Sequence, residues 1–130
     1  MVSETPLLTE ADIVVARQLV RKLAQQVGLS LVDQTKIVTA TSELARNCFI
    51  YGGGGVMQYE LLNAGARKGL KLSFVDQGPG IPDLDLAMKD GWTSGSGMGL
   101  GLSGARRLVN EFEIDSKVGI GTRVTIARWK

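Results

Sequence analysis

The stretch Leu70–Gly80, LKLSFVDQGPG, joins a short strand pattern to a glycine-rich turn that begins with an acidic residue. Leu70, Leu72 and Phe74 alternate with polar or small residues, which is the period of two expected of a strand with one buried face. The strand ends at Asp76, and the glycines and proline that follow predict a turn. A plain turn is the simplest interpretation of DQGPG. An acid at the end of a strand with bare backbone behind it also suits the edge of a purine, because a carboxylate can accept the exocyclic amine.

The periodicity of the rest of the chain predicts the order helix, helix, strand, strand, loop, helix, strand, strand. Thr9 and Ser30 are typical helix N-caps, and Gly28 is a typical C-terminal stop of the first helix. Such an order predicts an α+β two-layer sandwich, a mixed, mostly antiparallel sheet with helices on one face. The predicted strands are Val56–Leu62, a strand ending at Asp76, Glu113–Val118 and Thr122–Trp129; a short helix is expected near Leu84–Lys89, and the last helix has its apolar face at Leu102, Ala105, Leu108, Val109 and Phe112.

The composition is that of one globular domain over residues 1–130, with 44% hydrophobic and 22% charged residues. A formal net charge of +2 gives no reason to expect binding to nucleic acid or to an anionic membrane. No apolar run is long enough to span a bilayer and no signal-peptide pattern is present, so we expect a cytoplasmic protein.

The chain has no histidine, which excludes a Ser-His-Asp triad and a phospho-accepting histidine within it. It has one cysteine, Cys48, which excludes an internal disulfide. We expect Cys48 to be a small core residue.

A second glycine-rich stretch, Gly95–Leu102 or GSGMGLGL, lies directly before a helical pattern. A helix N-terminus with bare backbone is a suitable anion site, but a flexible hinge explains the stretch alone equally well. Gly99, Gly101 and Gly104 also satisfy the dinucleotide pattern G-x-G-x-x-G. No strand precedes them and too few residues follow for a doubly wound sheet, so we set that interpretation aside.

Glu43 and Asn47 are four residues apart on the second predicted helix, so they share one face. They adjoin the apolar stripe of Leu44 and Cys48, which predicts a position at the margin of a pocket. For an isolated E-x-x-x-N pair, a solvated position on the helix surface is the more common meaning.

Taken together, four motifs resemble in order and spacing the N, G1, G2 and G3 boxes of the GHKL ATP-binding superfamily, whose domains have the Bergerat fold. That superfamily comprises gyrase, Hsp90, histidine kinases and MutL. The resemblance extends to Trp129. The motifs are ELARN (Glu43–Asn47), DQGPG (Asp76–Gly80), GMGLGL (Gly97–Leu102) and GIGT (Gly119–Thr122).

The resemblance implies ATP and Mg²⁺ as cofactors. Asn47 would ligate Mg²⁺, and Glu43 would orient or deprotonate the attacking hydroxyl. Asp76 would hold the adenine amine, and Ile81–Ser96 would form a short ATP lid. The further nucleotide-binding residues that it implies are Gly78, Gly80, Gly97, Met98, Gly99, Leu100, Gly101 and Thr122.

Within the superfamily, the chain is similar to the stand-alone bacterial serine kinases of partner-switching pathways, a group that includes anti-sigma factors, and most similar to the RsbT type of switch kinase. This similarity rests on Glu43–Gly55, Asp76–Leu102 and Gly104–Ile114. It implies phosphorylation of a serine or threonine on a STAS-domain antagonist in a stress response, followed by binding and activation of a PP2C-type phosphatase.

The alternative is an anti-sigma factor, or a non-catalytic switch that binds its partner under the control of ATP. Anti-sigma factors of this fold usually have a histidine where this chain has Tyr51, which argues against direct binding of a sigma factor. Related modules include both dimers and partner-bound monomers, so a homodimer stays open. For Arg106 and Arg107, an exposed helix pair and a phosphate or partner contact both stay open.

Overall fold

The computed structural model describes residues 2–81 and 98–130. The described strands form one five-stranded sheet in the order β1-β2-β3-β5-β4, and all four pairings are antiparallel. The predicted α+β sandwich is confirmed, and no parallel pair occurs among these strands. The elements are β1 (Ser3–Leu7), α1 (Glu10–Val27), α2 (Leu31–Ile50), β2 (Gly55–Ala64), β3 (Arg67–Asp76), α3 (Met98–Arg107), β4 (Glu111–Lys117) and β5 (Gly121–Trp129).

The hydrophobic core lies between the helices and one face of the sheet. Leu70, Leu72 and Phe74 of β3 are buried on this face, as their alternation predicts. Their neighbours on the flanking strands include Met57, opposite Phe74, and Ile126, opposite Leu72. Asp76 is the next residue of β3 in the same alternation, so core packing directs it toward the helices. The helices contribute large buried side chains to the core, among them Val20, Ile37, Leu44 and Leu102.

The first two helices begin where the sequence predicts. Thr9 Oγ1 accepts the Asp12 N–H at 3.1 Å, and the Asp12 carboxylate accepts the Thr9 N–H, which completes a capping box. Ser30 Oγ accepts the Asp33 N–H in the same way. Gly28 ends α1 in the left-handed conformation, with φ of 90°. None of the helices within the described residues is long and apolar enough to cross a membrane.

The N-terminal strand β1 was not predicted. Its sequence, SETPL, lacks an alternating apolar pattern, and only Leu7 is buried. The strand forms because its main chain pairs with β2 from Ser3↔Tyr59 to Leu7↔Gly55. It is an edge strand, and an edge tolerates Pro6 because proline lacks only an N–H, which at an edge position is not required for pairing with a second neighbouring strand.

The prediction that the last helix continues through Phe112 is wrong. The helix ends at Arg107, and Phe112 lies in β4, where it faces Ile126 of β5. Apolar residues at helical spacing continue past the end without a glycine or proline to stop them, so periodicity alone could not find the boundary. The Asn110 N–H bonds the Ala127 carbonyl instead, which starts the sheet pairing. The predicted helix near Leu84–Lys89 lies outside the described residues.

The capping box gives a test of the first helix. Thr9→Ala removes the hydroxyl that accepts the Asp12 N–H, so we expect the free energy of unfolding to fall by about 1 kcal/mol in urea denaturation. Thr39→Ala, on the exposed outer face of α2, is the matched control and should be neutral or slightly stabilising because alanine favours helix. Equal losses in the two variants would contradict the assigned cap.

Candidate functional site

A cavity of about 200 Å³ opens between α2, the end of β3 and β5. Its walls are apolar, with a few polar groups at one side, which is typical of a site for a small molecule. The structure thus brings Asn47, Asp76, Gly80 and Thr122 of the predicted site to one cavity. The described residues that line it are Leu44, Asn47, Cys48, Tyr51, Gly52, Phe74, Asp76, Pro79, Gly80, Ile81, Leu102, Thr122 and Val124.

Bare main chain encloses Asp76 on three sides. The Gly78 N–H donates to Asp76 Oδ1 at 2.9 Å. A side chain at Gly52 would collide with the Asp76 carboxyl group, and one at Gly121 would collide with the Asp76 carbonyl oxygen. A side chain at Gly78 would lie 2.7 Å from the α-carbon of Gly52. These three positions therefore require glycine, because no Cβ fits there.

Two of these glycines lie outside the residues predicted to form the site. Gly52 was predicted only to end a helix, and Gly121 was predicted to form a turn within the GIGT motif without a site role of its own. The sequence did contain an indication of the role of Gly52, because one glycine is enough to end a helix and the run Gly52–Gly55 contains four.

Burial raises the pKa of Asp76 above its ordinary value of 3.8, while main-chain hydrogen bonds from Gly78 and Thr122 act in the opposite direction. Burial therefore outweighs the two donors. An ionised carboxylate has about four acceptor positions. Asp76 can therefore still accept a donor from a molecule in the cavity.

Cys48 is buried, as predicted, and its thiol lies 3.6 Å from the Val75 carbonyl oxygen. Burial first, and then the charge of Asp76, raise the pKa of this thiol from 9.0 to about 12. The group stays protonated at neutral pH and is inert as a nucleophile. Its contribution is to the wall of the cavity.

The predicted E-x-x-x-N pair of α2 meets α3 at Gly101. A side chain at Gly101 would lie 3.1 Å from Asn47 Nδ2 and 3.2 Å from Glu43 Oε2. Asn47 Nδ2 is buried and has no hydrogen-bond partner in the described part of the chain. A buried amide without a partner costs free energy, so such a group calls for an explanation, and a bound ligand is one.

The loop after Asp76 is fastened to the β4–β5 hairpin. The Ile81 N–H donates to Ser116 Oγ at 2.8 Å, and the Gly119 N–H donates to the Pro79 carbonyl at 2.9 Å. Gly80, with φ of 76°, packs directly on the main chain of Lys117. Ser116 was missed from the sequence, although the alternation Phe112, Ile114, Ser116 placed a hydroxyl on an otherwise apolar face.

Some of the predicted site lies beyond what the structure describes. Gly97 and all of the predicted lid except Ile81 fall outside the described residues. Met98, Gly99 and Leu100 form the start of α3. Arg106 and Arg107 are exposed in the last turn of this helix.

Known proteins share this sequence and fold. Residues 32–130 match the family described as histidine kinase-, DNA gyrase B- and HSP90-like ATPase. The chain is 46% identical over 123 residues to the serine/threonine-protein kinase RsbT of Bacillus subtilis (strain 168), covering 95% of this chain and 92% of that protein. It is 28% identical over 120 residues to the anti-sigma F factor of Thermoanaerobacter sp. (strain X514), covering 88% of this chain and 82% of that protein.

Solved structures agree on the fold. The RsbU and RsbW domains of Rv1364c from Mycobacterium tuberculosis give a TM-score of 0.68 at 21% identity over 98% of this chain, which spans only 32% of that longer chain. The mycobacterial sensor histidine kinase MprB gives a TM-score of 0.58 at 16% identity, covering 98% and 97% of the two chains. The chain therefore belongs to the family of histidine kinase-, DNA gyrase B- and HSP90-like ATPases, as its motifs predicted. Within that family it is a serine/threonine-protein kinase, since its similarity to RsbT extends over nearly the whole of both chains.

The raised pKa of Asp76 gives a test of the cavity. A carboxyl whose pKa is higher in the folded than in the unfolded state destabilises the fold as the pH rises through the folded-state pKa. Asp76→Asn removes that charge while the amide oxygen can still accept the Gly78 N–H, so we expect a higher Tm at neutral pH. The gain should disappear as the pH falls below the ordinary pKa of 3.8, where the carboxyl is protonated in both states.

Differential scanning calorimetry across this pH range measures the effect, and Asp115→Asn, on the exposed side of β4, is the control. If Asp76→Asn melts at a lower temperature than the parent at neutral pH, burial of the ionised carboxylate does not destabilise the fold.

Proposed function

We propose that this kinase transfers the γ-phosphoryl group of Mg·ATP to a serine or threonine of a small STAS-domain protein in a partner-switching pathway. The observation that carries the proposal is the unpartnered Nδ2 of Asn47, which lies with the Glu43 carboxylate against Gly101, while Asn47 lines the same cavity as Asp76. This arrangement offers separate places for a base and for a phosphate chain. The similarity to RsbT supports the choice of a protein acceptor.

The Asp76 side of the cavity suits adenine. An ionised carboxylate only accepts hydrogen bonds, so it favours a base that presents an amine at that position over one that presents a carbonyl. The Gly78 N–H holds the Asp76 carboxylate, the main chain of Gly80 lines the cavity, and Thr122 adds a hydroxyl beside Asp76. The apolar walls that would contact the ring come from Leu44, Phe74, Leu102 and Val124.

The Asn47 side suits the phosphates. The side-chain oxygen of Asn47 is a hard ligand of the kind that Mg²⁺ prefers, so this residue would hold the ion together with the phosphate oxygens. Bound Mg²⁺ would neutralise the charge of the transferred group. The main-chain N–H groups at the start of α3, from Met98 through Gly101, would bind the phosphates at a helix N-terminus.

Glu43 would act on the acceptor hydroxyl. Its carboxylate lies beside Gly101, on the same side of the cavity as the Asn47 amide. As the serine oxygen attacks the γ-phosphorus and the bond to the β-phosphate oxygen breaks, Glu43 would take the hydroxyl proton. The rest of catalysis would be positioning and charge stabilisation.

The same proposal covers the wider role of the protein. After release from its substrate, the kinase would bind and activate a PP2C-type phosphatase in the cytoplasm, as a single domain over residues 1–130 that acts as a monomer or a homodimer. The similarity to an anti-sigma F factor favours a second candidate, a switch that binds a sigma factor. Tyr51, which replaces the usual histidine of such factors, weighs against that candidate.

The kinase assignment is tested by phosphoryl transfer. We expect the parent protein, with Mg²⁺ and γ-labelled ATP, to label a serine or threonine of the STAS-domain protein encoded beside it. Glu43→Gln keeps the shape but removes the base, so the transfer rate should fall by about 10²- to 10⁴-fold. Asn47→Ala should abolish transfer because it removes the metal ligand, and Thr39→Ala on the exposed face of α2 is the control.

A Glu43→Gln variant that transfers label at the parental rate would overturn the role of this carboxylate. A parent protein that binds ATP and the STAS partner without any transfer would favour the non-catalytic switch instead.

A further inference from the structure

Ser116 completes a row of three polar side chains across neighbouring strands. Asp76 of β3 is paired with Thr122 of β5, and Thr122 is paired with Ser116 of β4. Side chains at paired positions lie on the same face of a sheet. Asp76 and Thr122 line the cavity, whereas Ser116 stands behind Thr122 and is absent from the described lining.

The Ser116 hydroxyl has three neighbours within hydrogen-bond distance. Its oxygen accepts the Ile81 N–H at 2.8 Å, lies 2.7 Å from Thr122 Oγ1, and lies 3.3 Å from the Gly121 carbonyl oxygen. A serine hydroxyl has one proton and two lone pairs. All of these can be used at once, which few partly buried hydroxyls achieve.

The contact between Ser116 and Thr122 determines whether the Thr122 hydroxyl donates or accepts a hydrogen bond in the cavity. If Ser116 donates to Thr122, the Thr122 proton is free to donate into the cavity. If Ser116 donates to the Gly121 carbonyl, Thr122 donates to Ser116 and its remaining lone pair is free to accept. In both arrangements the contact with Ser116 holds Thr122 Oγ1 in one position beside Asp76.

The contact with Ile81 fixes the other side of the cavity mouth. Ile81 and Pro79 both line the cavity, and the chain leaves the described region directly after Ile81. The Ser116–Ile81 bond and the Gly119–Pro79 bond join this loop to the β4–β5 hairpin. Ser116 therefore holds two parts of the cavity that are 41 residues apart in the chain, from Ile81 to Thr122.

We propose that Ser116 is a positioning residue for nucleotide binding, which orients the Thr122 hydroxyl and holds the main chain of Ile81 at the adenine side of the cavity. This role rests on the proposed ATP site. It acts on binding of the base and not on the transfer step, because Ser116 lies on the Asp76 side and the catalytic Glu43 lies on the Asn47 side.

The test separates ATP binding from turnover. Ser116→Ala removes both contacts, and the KM for ATP and the calorimetric Kd should rise by roughly 5- to 30-fold, the effect of one or two hydrogen bonds. The kcat at saturating ATP should stay within about twofold, since the transition-state contacts are untouched. Ser116→Thr keeps the hydroxyl and suits an edge strand, so it should restore the parental KM.

Ser73→Ala is the matched control. Ser73 Oγ and Thr125 Oγ1 form the same kind of cross-strand pair at 3.0 Å, on the face of the sheet away from the cavity. Ser73→Ala should leave the KM for ATP unchanged, even if it lowers the Tm as much as Ser116→Ala does. A loss of ATP affinity that tracks the Tm in both variants would overturn the proposal in favour of a purely structural role.

Thr122→Val supplies a second measurement should Ser116→Ala be too unstable to assay. Thr122→Val removes the hydroxyl that Ser116 orients, so by itself it should raise the KM for ATP with an unchanged kcat, and an unchanged KM would overturn the proposal. Because the two hydroxyls act together, the loss of ATP affinity in Ser116→Ala/Thr122→Val should be smaller than the sum of the two single losses, and additive losses would overturn the proposed coupling. A parent protein that binds no Mg·ATP overturns the proposed function together with this role. A parent that binds, with Ser116→Ala binding equally well, overturns the role of Ser116 alone.

Discussion

The approach of glycine main chain to Asp76 from three directions is the constraint on which the rest of the site depends. Gly52 brings the end of α2 against the carboxyl group, Gly78 closes the turn after β3, and Gly121 brings the start of β5 against the carbonyl oxygen. Asn47 is tied to the same point, because its carbonyl accepts the N–H groups of Tyr51 and Gly52 at the end of α2. Fixing Gly52 on Asp76 therefore also fixes the distance between the two polar ends of the cavity.

Two groups in the site lower the stability of the free protein, and favourable interactions elsewhere in the fold compensate for them. A carboxyl with a raised pKa and a buried amide without a partner both lower the stability of the free protein. Elsewhere the described chain shows the opposite, with a full capping box on α1 and the buried core between helices and sheet. Arg128 Nε is also buried without a partner, but the other two nitrogens of that guanidinium donate to Leu108 and Asp33. Two such losses in the lining of one cavity are expected where a ligand binds.

The sequence was sufficient for the architecture and for the residues that carry a motif. Helix caps at Thr9 and Ser30 and the strand that delivers Asp76 follow local rules, so they could be predicted. Strand β1 and the end of α3 could not, because both depend on pairing with a distant strand: β2 for the first and β5 for the second. Tertiary pairing of this kind leaves no periodic signal in the segment itself.

The site residues also divide into those with a recognisable sequence motif and those whose role depends on contacts with distant parts of the chain. Glu43, Asn47 and Asp76 were predicted because they belong to motifs that resemble those of a known superfamily, whereas Gly52, Gly121 and Ser116 act through what they contact across the fold. Gly52 and Gly121 matter because of an absent Cβ, and Ser116 matters because Ile81 and Thr122 meet at its hydroxyl. None of these roles can be read from neighbours in the sequence.

The central claim is that the cavity between Asp76 and Asn47 binds ATP by its base at one end and its phosphates at the other. A crystal structure with Mg²⁺ and a non-hydrolysable ATP analogue tests it most directly. The account predicts the adenine amine within hydrogen-bond distance of the Asp76 carboxylate, directly or through one water, and the metal ion on the Asn47 side-chain oxygen. An analogue bound outside this cavity, or bound with its phosphates at Asp76, would contradict it.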